Sequence, residues 1–311
     1  MDTGTNSEKG WVVGIGEALW DILPEGRKIG GAPANFAYHV SQFGYRSRAV
    51  SAVGNDEPGQ ELRRQFLAKG VQHSLEEVPF PTGTVGVTLD GAGIPAYEIR
   101  RNVAWDNIPF TAELEALARQ TRAVCFGSLA QRSPVSCRTI GRFLESMPDG
   151  EGQYKIFDIN LRQRFYSRQI VEKSLERCNV LKINDEELAV IGSMYGMEGM
   201  PSEGQCRTLL EKYGLRAVIL TCGAVGSQVF TPGAISHVAT PHVEVADTVG
   251  AGDSFTASFL AALLAGHSIR EAHGLAVEVS AYVCTQHGAM PRLPEGLIAR
   301  VRATPGETPG A

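Results

Sequence analysis

The sequence contains little of what identifies several large classes of protein. Its six cysteines are scattered over 311 residues without a C-x-x-C pair, so we predict reduced, buried thiols and neither a zinc site nor a disulfide framework. No run of about 18 uninterrupted apolar residues occurs, which excludes a typical membrane-spanning helix. The string G-x-x-x-x-G-K-[S/T] is also absent, which excludes a P-loop nucleotide site.

Basic charge is in short supply as well. The formal net charge is −5, whereas a nucleic-acid-binding protein needs a basic stripe that replaces phosphate counterions. We therefore predict no nucleic-acid partner and no membrane partner. The first ten residues are polar and lack the apolar core of a signal peptide, so we predict a cytoplasmic protein with flexible tails at 1–10 and 304–311.

What the sequence does contain is a regular alternation of β-type apolar runs and helical patterns. Strands are predicted at 11–15, 48–53, 123–127, 155–159, 180–183, 217–221 and 228–230. Helices are predicted at 33–43, 57–69, 112–120, 134–145, 167–176, 185–191 and 201–213. This alternation predicts an α/β fold, with a mostly parallel central sheet and helices on both faces, in a single domain over residues 11–300.

Two segments interrupt the alternation. Residues 18–30 and 84–100 have the pattern of short strands around turns, at 24–26 and 90–93, without a helix between the strands. Each segment follows a core element and returns to it. We predict that the two insertions form a small β lid over one end of the sheet, and that there is no independent second domain.

The segment from Asp247 to Phe255 carries the clearest chemical signal. A tight turn at Gly250, Ala251 and Gly252 leads into an apolar helical run at 254–264. Such a turn presents free N–H groups and the positive end of the helix dipole to phosphate oxygens. Asp253 follows in the first helical turn, where a carboxylate would repel phosphate. Its presence therefore indicates a base for a hydroxyl group that attacks the γ-phosphate, and a simple helix cap is the structural alternative.

This segment resembles the D-T-x-G-A-G-D signature of the ribokinase-like (pfkB) carbohydrate kinases, and the resemblance extends from about Val12 to Pro294. Four further blocks agree with motifs of that family in the same order: the start of its lid at 16–21, its G-G-x-x-x-N sugar-binding turn at 30–35, its N-x-x-E motif at 184–187 and its T-x-G-x-x-G loop at 221–226. The resemblance implies a ribokinase-like kinase that uses ATP and Mg²⁺ to phosphorylate a primary hydroxyl group of a small sugar. It also makes the outer face of the lid a candidate homodimer interface, which the apolar run at 85–89 permits.

The matched motifs imply a role for each of their polar residues. On the sugar side these are Asp21, Gly31, Asn35 and Asp253, and carboxylate and amide groups suit vicinal hydroxyls. On the nucleotide side the motifs imply a further set, namely Asn184, Thr221, Gly223, Gly226, Gly250 and Gly252. Glu187 is implied in the placement of Mg²⁺ and phosphate, and it lies one helical turn beyond Asn184. Ordinary turn and helix-start positions are the structural alternative for Asp21, Asn35 and Asn184.

Three blocks are similar to the fructokinase members of the family. Asp158 to Arg162 resembles their D-x-N-x-R block near the phosphates, where Arg162 or Lys182 would neutralise developing charge. Arg101 to Asp106 has their R-x-x-x-x-D spacing, which implies a contact from Arg101 to the sugar or to the phosphoryl group. Residues 127–133 resemble a third block. A structural ion pair at Arg162 and a solvated β edge at Arg101 are the alternatives.

Potassium-dependent members of the family hold a monovalent cation beside the first Asp of the signature. Here that residue is Asp247, and the resemblance implies carbonyl ligands from Val283, Gln286 and Gly288. Arg292 departs from the ribokinase pattern, in which a small hydroxyl residue is frequent at this position. The sequence therefore leaves two alternatives open, namely a K⁺ site at Asp247 and the absence of such a site.

Other functions have weaker support. Gly14-Ile15-Gly16 begins like a dinucleotide-binding G-x-G-x-x-G motif, but Leu19 replaces its third glycine, which disfavours an oxidoreductase. Asp253 argues against a non-catalytic sugar- or nucleotide-binding protein. Among substrates the motifs favour fructose, with ribose, 2-keto-3-deoxygluconate or a nucleoside as alternatives. Trp20 and Trp105 bear on that choice, since each either walls the sugar or packs in the core.

Overall fold

The computed structural model describes residues 10–23, 26–89 and 95–303, with the backbone alone at 87–89 and 95–97. Residues 1–9 and 304–311, which make up nearly all of the two predicted tails, lie outside the described residues, as do residues 24–25 and 90–94 at the predicted lid turns. Within the described ranges, no helix is long and apolar enough to cross a bilayer. All six cysteines are free thiols; three are buried and three are partly exposed.

The described chain contains thirteen strands. In chain order, β1 to β13 are Trp11–Ile15, Leu19–Leu23, Gly26–Gly30, Ser47–Gly54, His73–Val78, Gly83–Leu89, Pro95–Ile99, Thr121–Phe126, Tyr154–Asp158, Val180–Asn184, Ala217–Thr221, Ser227–Phe230 and Ile235–Val238. Nine of them form one sheet in the order β13-β12-β11-β10-β9-β8-β1-β4-β5. All neighbours from β11 to β5 are parallel, and β12 and β13 add an antiparallel edge. The predicted mostly parallel sheet is therefore confirmed.

Ten α-helices cover the sheet within the described ranges. In chain order, α1 to α10 are Ala32–Gln42, Glu57–Ala68, Ala112–Arg119, Pro134–Ser146, Arg168–Leu175, Asp185–Tyr195, Ser202–Lys212, Ala251–Ala265, Ile269–Cys284 and Glu295–Arg302. Because side chains alternate along a strand, Val13 and Phe126 pack with α3 to α7 on one face, while Val12 and Cys125 pack with α1, α8, α9 and α10 on the other. The chain thus builds a three-layer α/β sandwich.

A second sheet has the order β3-β2-β6-β7, and we call it the lid sheet. Its strands come from two separate segments, with β2 and β6 parallel at the junction and an antiparallel strand on either side. Trp20 on β2 is buried, and its indole N–H donates to the carbonyl oxygen of Pro58 at 2.9 Å. The first strand of the lid sheet is therefore fastened to α2.

The polar residues of interest follow the carboxyl ends of the central strands. Glu17 follows β1, Asp158 ends β9 and Asn184 ends β10, while α8 begins beside the same edge. In open α/β sheets this edge is where ligands bind. The topology therefore brings together residues that are far apart in sequence.

Candidate active site

The N-terminus of α8 presents unused backbone donors. Gly250 caps the helix in the left-handed region, at φ 79°, which favours glycine. The helix begins at Ala251, three residues earlier than its predicted apolar run, and the Ala251 N–H donates to the Thr248 carbonyl at 3.3 Å. Among the described residues, the N–H groups of Gly252 and Asp253 have no acceptor, as is usual for a first helical turn. Two free amides and the positive end of the helix dipole form a candidate anion site.

Asp253 and Asn35 meet at this site. The Asn35 side chain, in the first turn of α1, donates from Nδ2 to Asp253 Oδ2 at 2.8 Å. Desolvation by the surrounding protein raises the pKa of Asp253 to about 6, and the charge of Asp158 adds to that rise, while Asn35, Lys182 and Arg162 oppose it. A carboxyl group that is still ionised near pH 7, yet more basic than usual, suits a general base.

Two contacts fix α1, which carries Asn35. Gly31 caps the helix at φ 118°, and a Cβ atom there would overlap the carbonyl oxygen of Glu17. Farther along, the ring of His39 donates from Nε2 to the Ala289 carbonyl oxygen at 2.9 Å. Burial lowers the pKa of His39 to about 4, so this ring is neutral at physiological pH. The position of Asn35 is therefore fixed by the close backbone approach at Gly31, at the start of α1, and by the buried hydrogen bond of His39 one turn later.

A buried cation lies directly behind the anion site. The Nζ atom of Lys182 is 3.0 Å from Asp158 Oδ2, and Thr256 on α8 donates to that same oxygen at 3.3 Å. A Cβ atom at Gly252 would lie 2.7 Å from Lys182 Nζ, so the ammonium group touches the glycine backbone. Burial alone would lower the pKa of Lys182, but the carboxylates of Asp158, Asp253 and Glu187 raise it. The cation therefore stays charged beneath the two free amides.

The N-x-x-E motif caps α6 and connects it to a neighbouring loop. Asn184 Oδ1 accepts the Glu187 N–H at 2.7 Å, and Glu187 Oε2 accepts the Asn184 N–H at 3.0 Å, which is a capping box. The second carboxylate oxygen, Oε1, accepts the Leu161 N–H at 2.9 Å. Burial raises the pKa of Glu187. Glu187 therefore binds the start of α6 to the loop that carries Arg162.

The sugar-side candidate Asp21 lies on β2 of the lid sheet. Burial raises the pKa of Asp21 to about 6, against the charges of Arg162 and Lys28. A Cβ atom at Gly30, on the neighbouring strand, would overlap the Asp21 carboxyl group. Arg162 is exposed and close enough to lower the pKa of both Asp21 and Asp253. The guanidinium group of Arg162 therefore lies within electrostatic range of both carboxyl groups, and its Nη1 atom donates to the Leu161 carbonyl oxygen at 3.3 Å.

Arg101 lies near the root of the second lid segment, directly after β7. Its guanidinium carbon is 4.9 Å from the centre of the Phe165 ring, and the side chain is exposed. Asp106 is buried and pairs with Arg132 through two bonds of 2.8 and 2.9 Å. Arg132 also stacks 4.0 Å over the ring of Trp105, which is fully buried. Trp105 and Asp106 therefore pack the lid root, and Trp105 does not wall an open site.

The predicted nucleotide loop is a tight turn after β11. The Cys222 N–H donates to the Gly226 carbonyl at 2.8 Å, and the Thr240 hydroxyl donates to the Gly223 carbonyl at 2.7 Å. Both glycines have positive φ, and a Cβ atom at Gly226 would lie 2.6 Å from the Val238 carbonyl oxygen. Thr221 is half-buried at the end of β11. The loop is thus fixed by its glycines and leaves Gly223 exposed.

Asp247 joins the turn before α8 to the loop after α9. Its two carboxylate oxygens accept the N–H groups of Val249 and Gly288, each at 3.0 Å. The carbonyl of Val283 accepts the Gln286 N–H at 3.0 Å. Each of these oxygens keeps a lone pair, so the arrangement is compatible with a monovalent cation.

A divalent cation finds less protein support. No group of three or more His, Cys, Asp or Glu side chains that could hold a metal occurs among the described residues. Both oxygens of Glu187 already accept backbone amides. Mg²⁺ usually keeps several waters and binds phosphate oxygens. The nucleotide would therefore supply most of its ligands, and the remaining lone pairs of Glu187 would be available to one of its waters.

The sequence motifs assign no role to Glu17, although it lies within the quoted block at 16–21. The structure buries this carboxyl group in a cavity wall that Asp253 also lines. A single Glu after a strand carries no periodic or spacing signal. Only the fold brings Glu17 to Asp253.

Comparison with known proteins gives a consistent result. The sequence profile of the pfkB family of carbohydrate kinases matches residues 26–296. A fructokinase of Salmonella typhimurium is 31% identical over 309 residues, covering 92% of this chain and 96% of that protein. The structure of Vibrio cholerae O395 fructokinase with fructose, ADP and calcium ion is 25% identical, with a TM-score of 0.77 over 95% of this chain and 100% of that one. The ATP-bound fructokinase of Xylella fastidiosa is 21% identical with a TM-score of 0.78, over 94% of this chain and 98% of that one. The chain therefore belongs to the pfkB family of carbohydrate kinases.

Proposed function

We propose that this sugar kinase transfers the γ-phosphoryl group of ATP to a primary hydroxyl group of fructose. The observation that carries the proposal is the pairing of Asn35 with Asp253 beside two unused amides at the start of α8. A base and an anion site meet there, and phosphoryl transfer to an alcohol needs both. Fructose is chosen because the Salmonella typhimurium and Vibrio cholerae proteins are fructokinases.

Asp253 acts as the general base in this mechanism. The Asn35 N–H holds Oδ2, so Oδ1 is left to accept the proton of the attacking hydroxyl group. The Gly252 and Asp253 amides then stabilise the negative oxygens of the transferring phosphoryl group. Ala251 donates to Thr248, so its predicted part in the anion site reduces to shaping the turn with Gly250.

Cationic groups offset the negative charge of the phosphates and carboxylates at the start of α8. Lys182 lies behind Gly252 and is held by Asp158, so it supports the anion site without touching the nucleotide. Arg162 approaches from the exposed side. A Mg²⁺ ion carried by ATP would neutralise part of the phosphate charge, and Glu187 is the side chain proposed to help place it.

The sugar would lie under the lid sheet. Asp21 and the Gly31 turn border the space above Asp253, and we propose that Asp21 accepts hydrogen bonds from sugar hydroxyls. Arg101 is assigned to the outer rim, where closure of the lid sheet would bring it toward the substrate. On the opposite side, Thr221, Gly223 and Gly226 would border the nucleotide, with Asn184 at the end of the neighbouring strand.

Two further assignments belong to this proposal. K⁺ would bind at Asp247 with carbonyl groups of Val283, Gln286 and Gly288, and a potassium requirement in the assay would support it. A homodimer would form through the outer face of the lid sheet, where Ile22 is exposed; sedimentation of the wild-type protein and of Ile22→Lys tests it. We place the reaction in the cytoplasm, where ATP is abundant.

A screen of ADP release tests the substrate. Fructose, ribose, 2-keto-3-deoxygluconate, adenosine and inosine are each supplied with MgATP, and the kcat/KM values are compared. We expect the largest value with fructose. A larger value with any of the other four would replace fructose as the substrate and leave the kinase mechanism in place.

A further inference from the structure

Glu17 is a buried acid without an assigned task. It follows β1, it is 4% exposed, and its Oε2 atom has no hydrogen-bond partner among the described residues. Its own N–H and that of Ala32, the first residue of α1, face the carboxyl group. An unpartnered buried oxygen is costly, so its retention calls for an explanation.

The Glu17 side chain also lines a small cavity. Glu17, Asp253, Asp158, Asn160, Cys125 and Ala32 are among the residues that line this space of about 10 Å³. That is about the space that one water molecule needs. A single water molecule would therefore have the Glu17 and Asp253 carboxyl groups as its polar neighbours.

Burial and the surrounding charges make Glu17 more basic than an ordinary glutamate. Burial raises the pKa of Glu17 to about 7, and repulsion by Asp253 on α8 adds to this, while its own amide, Arg162 and the Ala32 amide oppose it. From the sheet side, Asp158 and the neutral thiol of Cys125 face the same cavity. Burial also raises the pKa of Asp253 to about 6. Both carboxyl groups are therefore more basic than ordinary acids, and the cavity that both line offers a proton on Asp253 a second basic acceptor in Glu17.

We propose that Glu17 is a relay residue, which receives through the cavity the proton that Asp253 takes from the sugar hydroxyl group. Protonated Asp253 gives its proton to the cavity water, and that water gives one of its own protons to the Glu17 carboxylate. No electrons are exchanged and no other reactant is consumed. The proton leaves Glu17 for solvent when the products depart, and Asp253 is again ionised. This proposal rests on the phosphoryl transfer proposed above.

The relay makes a distinctive kinetic prediction, because it follows the transfer step. Glu17→Gln keeps the size of the side chain but cannot accept the proton. We expect kcat at pH 7.5 to fall at least ~10-fold. This lower bound is smaller than the roughly 100-fold that positioned proton-transfer groups contribute as a minimum. The KM for the sugar should fall in parallel, so kcat/KM stays within about twofold, and a burst of one ADP per active site should precede the steady state.

Glu17→Ala supplies a second, independent test through chemical rescue. Formate fits the vacated space and carries a carboxylate, whereas formamide has the same size and shape but is not a base. We expect formate to restore kcat in proportion to its concentration, and formamide to have no effect. If Glu17→Gln does not fold, the rescue of Glu17→Ala by itself decides whether Glu17 relays the proton.

Three outcomes would overturn the relay. They are an unchanged kcat in Glu17→Gln, a fall of kcat/KM as large as that of kcat, and rescue by formamide equal to that by formate. All measurements use the sugar that the wild-type enzyme phosphorylates most efficiently. If that sugar is not fructose, the substrate assignment is wrong and the relay is still judged on the variants.

Discussion

The hydrogen bond from Asn35 to Asp253 gives the sharpest prediction for the general base. Asn35→Leu keeps nearly the same side-chain size and removes the Nδ2 donor. It also removes the buried Oδ1 atom of Asn35, which has no partner among the described residues, so we expect little loss of folding stability from the amide itself. The change therefore acts mainly on the carboxyl group of Asp253.

The magnitude follows from the geometry. A 2.8 Å bond to an ionised acceptor contributes about 1.5–3 kcal/mol, and about 1.4 kcal/mol corresponds to one pKa unit. The Asn35 bond stabilises the ionised form and so lowers the pKa of Asp253. Its removal should raise that pKa from about 6 to between about 7 and 8.

The assay is the pH dependence of kcat/KM for ADP release, from about pH 5.5 to 9. Since kcat/KM reports ionisations of the free enzyme, its acid limb should move upward by about one to two pH units in Asn35→Leu. Lost sugar contacts would lower the whole curve without moving that limb, which separates the two effects. An acid limb at the wild-type position would refute the assignment of Asp253 as the group that titrates.

Three other variants test separate parts of the structure. Glu17→Gln should be more stable than the wild type at pH 8 by up to ~3 kcal/mol, because the folded-state pKa of about 7 lies above the unfolded value near 4.5. The folded wild type then binds more protons between those values, so its stability falls as the pH rises through that window. Urea unfolding should show the two proteins converging near pH 4.5, and equal stability at pH 8 would contradict the burial of Glu17. Lys182→Met leaves Asp158 buried without its cation and should cost about 3–5 kcal/mol, with partial recovery on adding Asp158→Asn; an unchanged urea midpoint in the single variant would mean that the pair is not desolvated. Asp21→Ala should raise KM for the sugar and leave KM for ATP unaltered, and an unaltered sugar KM would remove Asp21 from the site.

Local signals account for the parts of the fold that the sequence predicts well. The parallel core strands are apolar runs that end in polar residues, and they differ from the structure by only a few residues at their ends. The glycines around Asp253 predict a turn before a helix, because they supply a left-handed cap and close backbone approach. The helix begins three residues before its predicted apolar run, because the small residues Ala251 and Gly252 give no apolar signal.

Other elements were not predicted, for two different reasons. Strand β5, His73–Val78, contains two glutamates, and its pattern becomes a strand only by pairing with β4 at the edge of the sheet. Ser268 caps the N-terminus of α9 and forms a capping box with Glu271, and this spacing is a local signal of a helix start. Strand β5 therefore depends on long-range pairing that the sequence does not show, whereas the start of α9 is predictable from its capping box.

In the candidate site, too, local contacts are predictable from the sequence and long-range contacts are not. The N-x-x-E spacing predicts that Asn184 and Glu187 act together, but not that Glu187 also binds Leu161 from another loop. Burial of Glu17 beside Asp253 depends on β1 and α8 meeting at one edge of the sheet. No pattern within either segment encodes that meeting, so neither the pKa of Glu17 nor its cavity is predictable from sequence alone.

The most direct test of the central claim is turnover by Asp253→Asn with fructose and MgATP. Asn keeps the size of the side chain and removes the base, so kcat should fall at least ~100-fold, the usual contribution of a general base. The KM for ATP should change little, because the backbone amides of α8 are retained. Near-normal turnover by this variant would contradict the claim that Asp253 takes the proton of the attacking hydroxyl group.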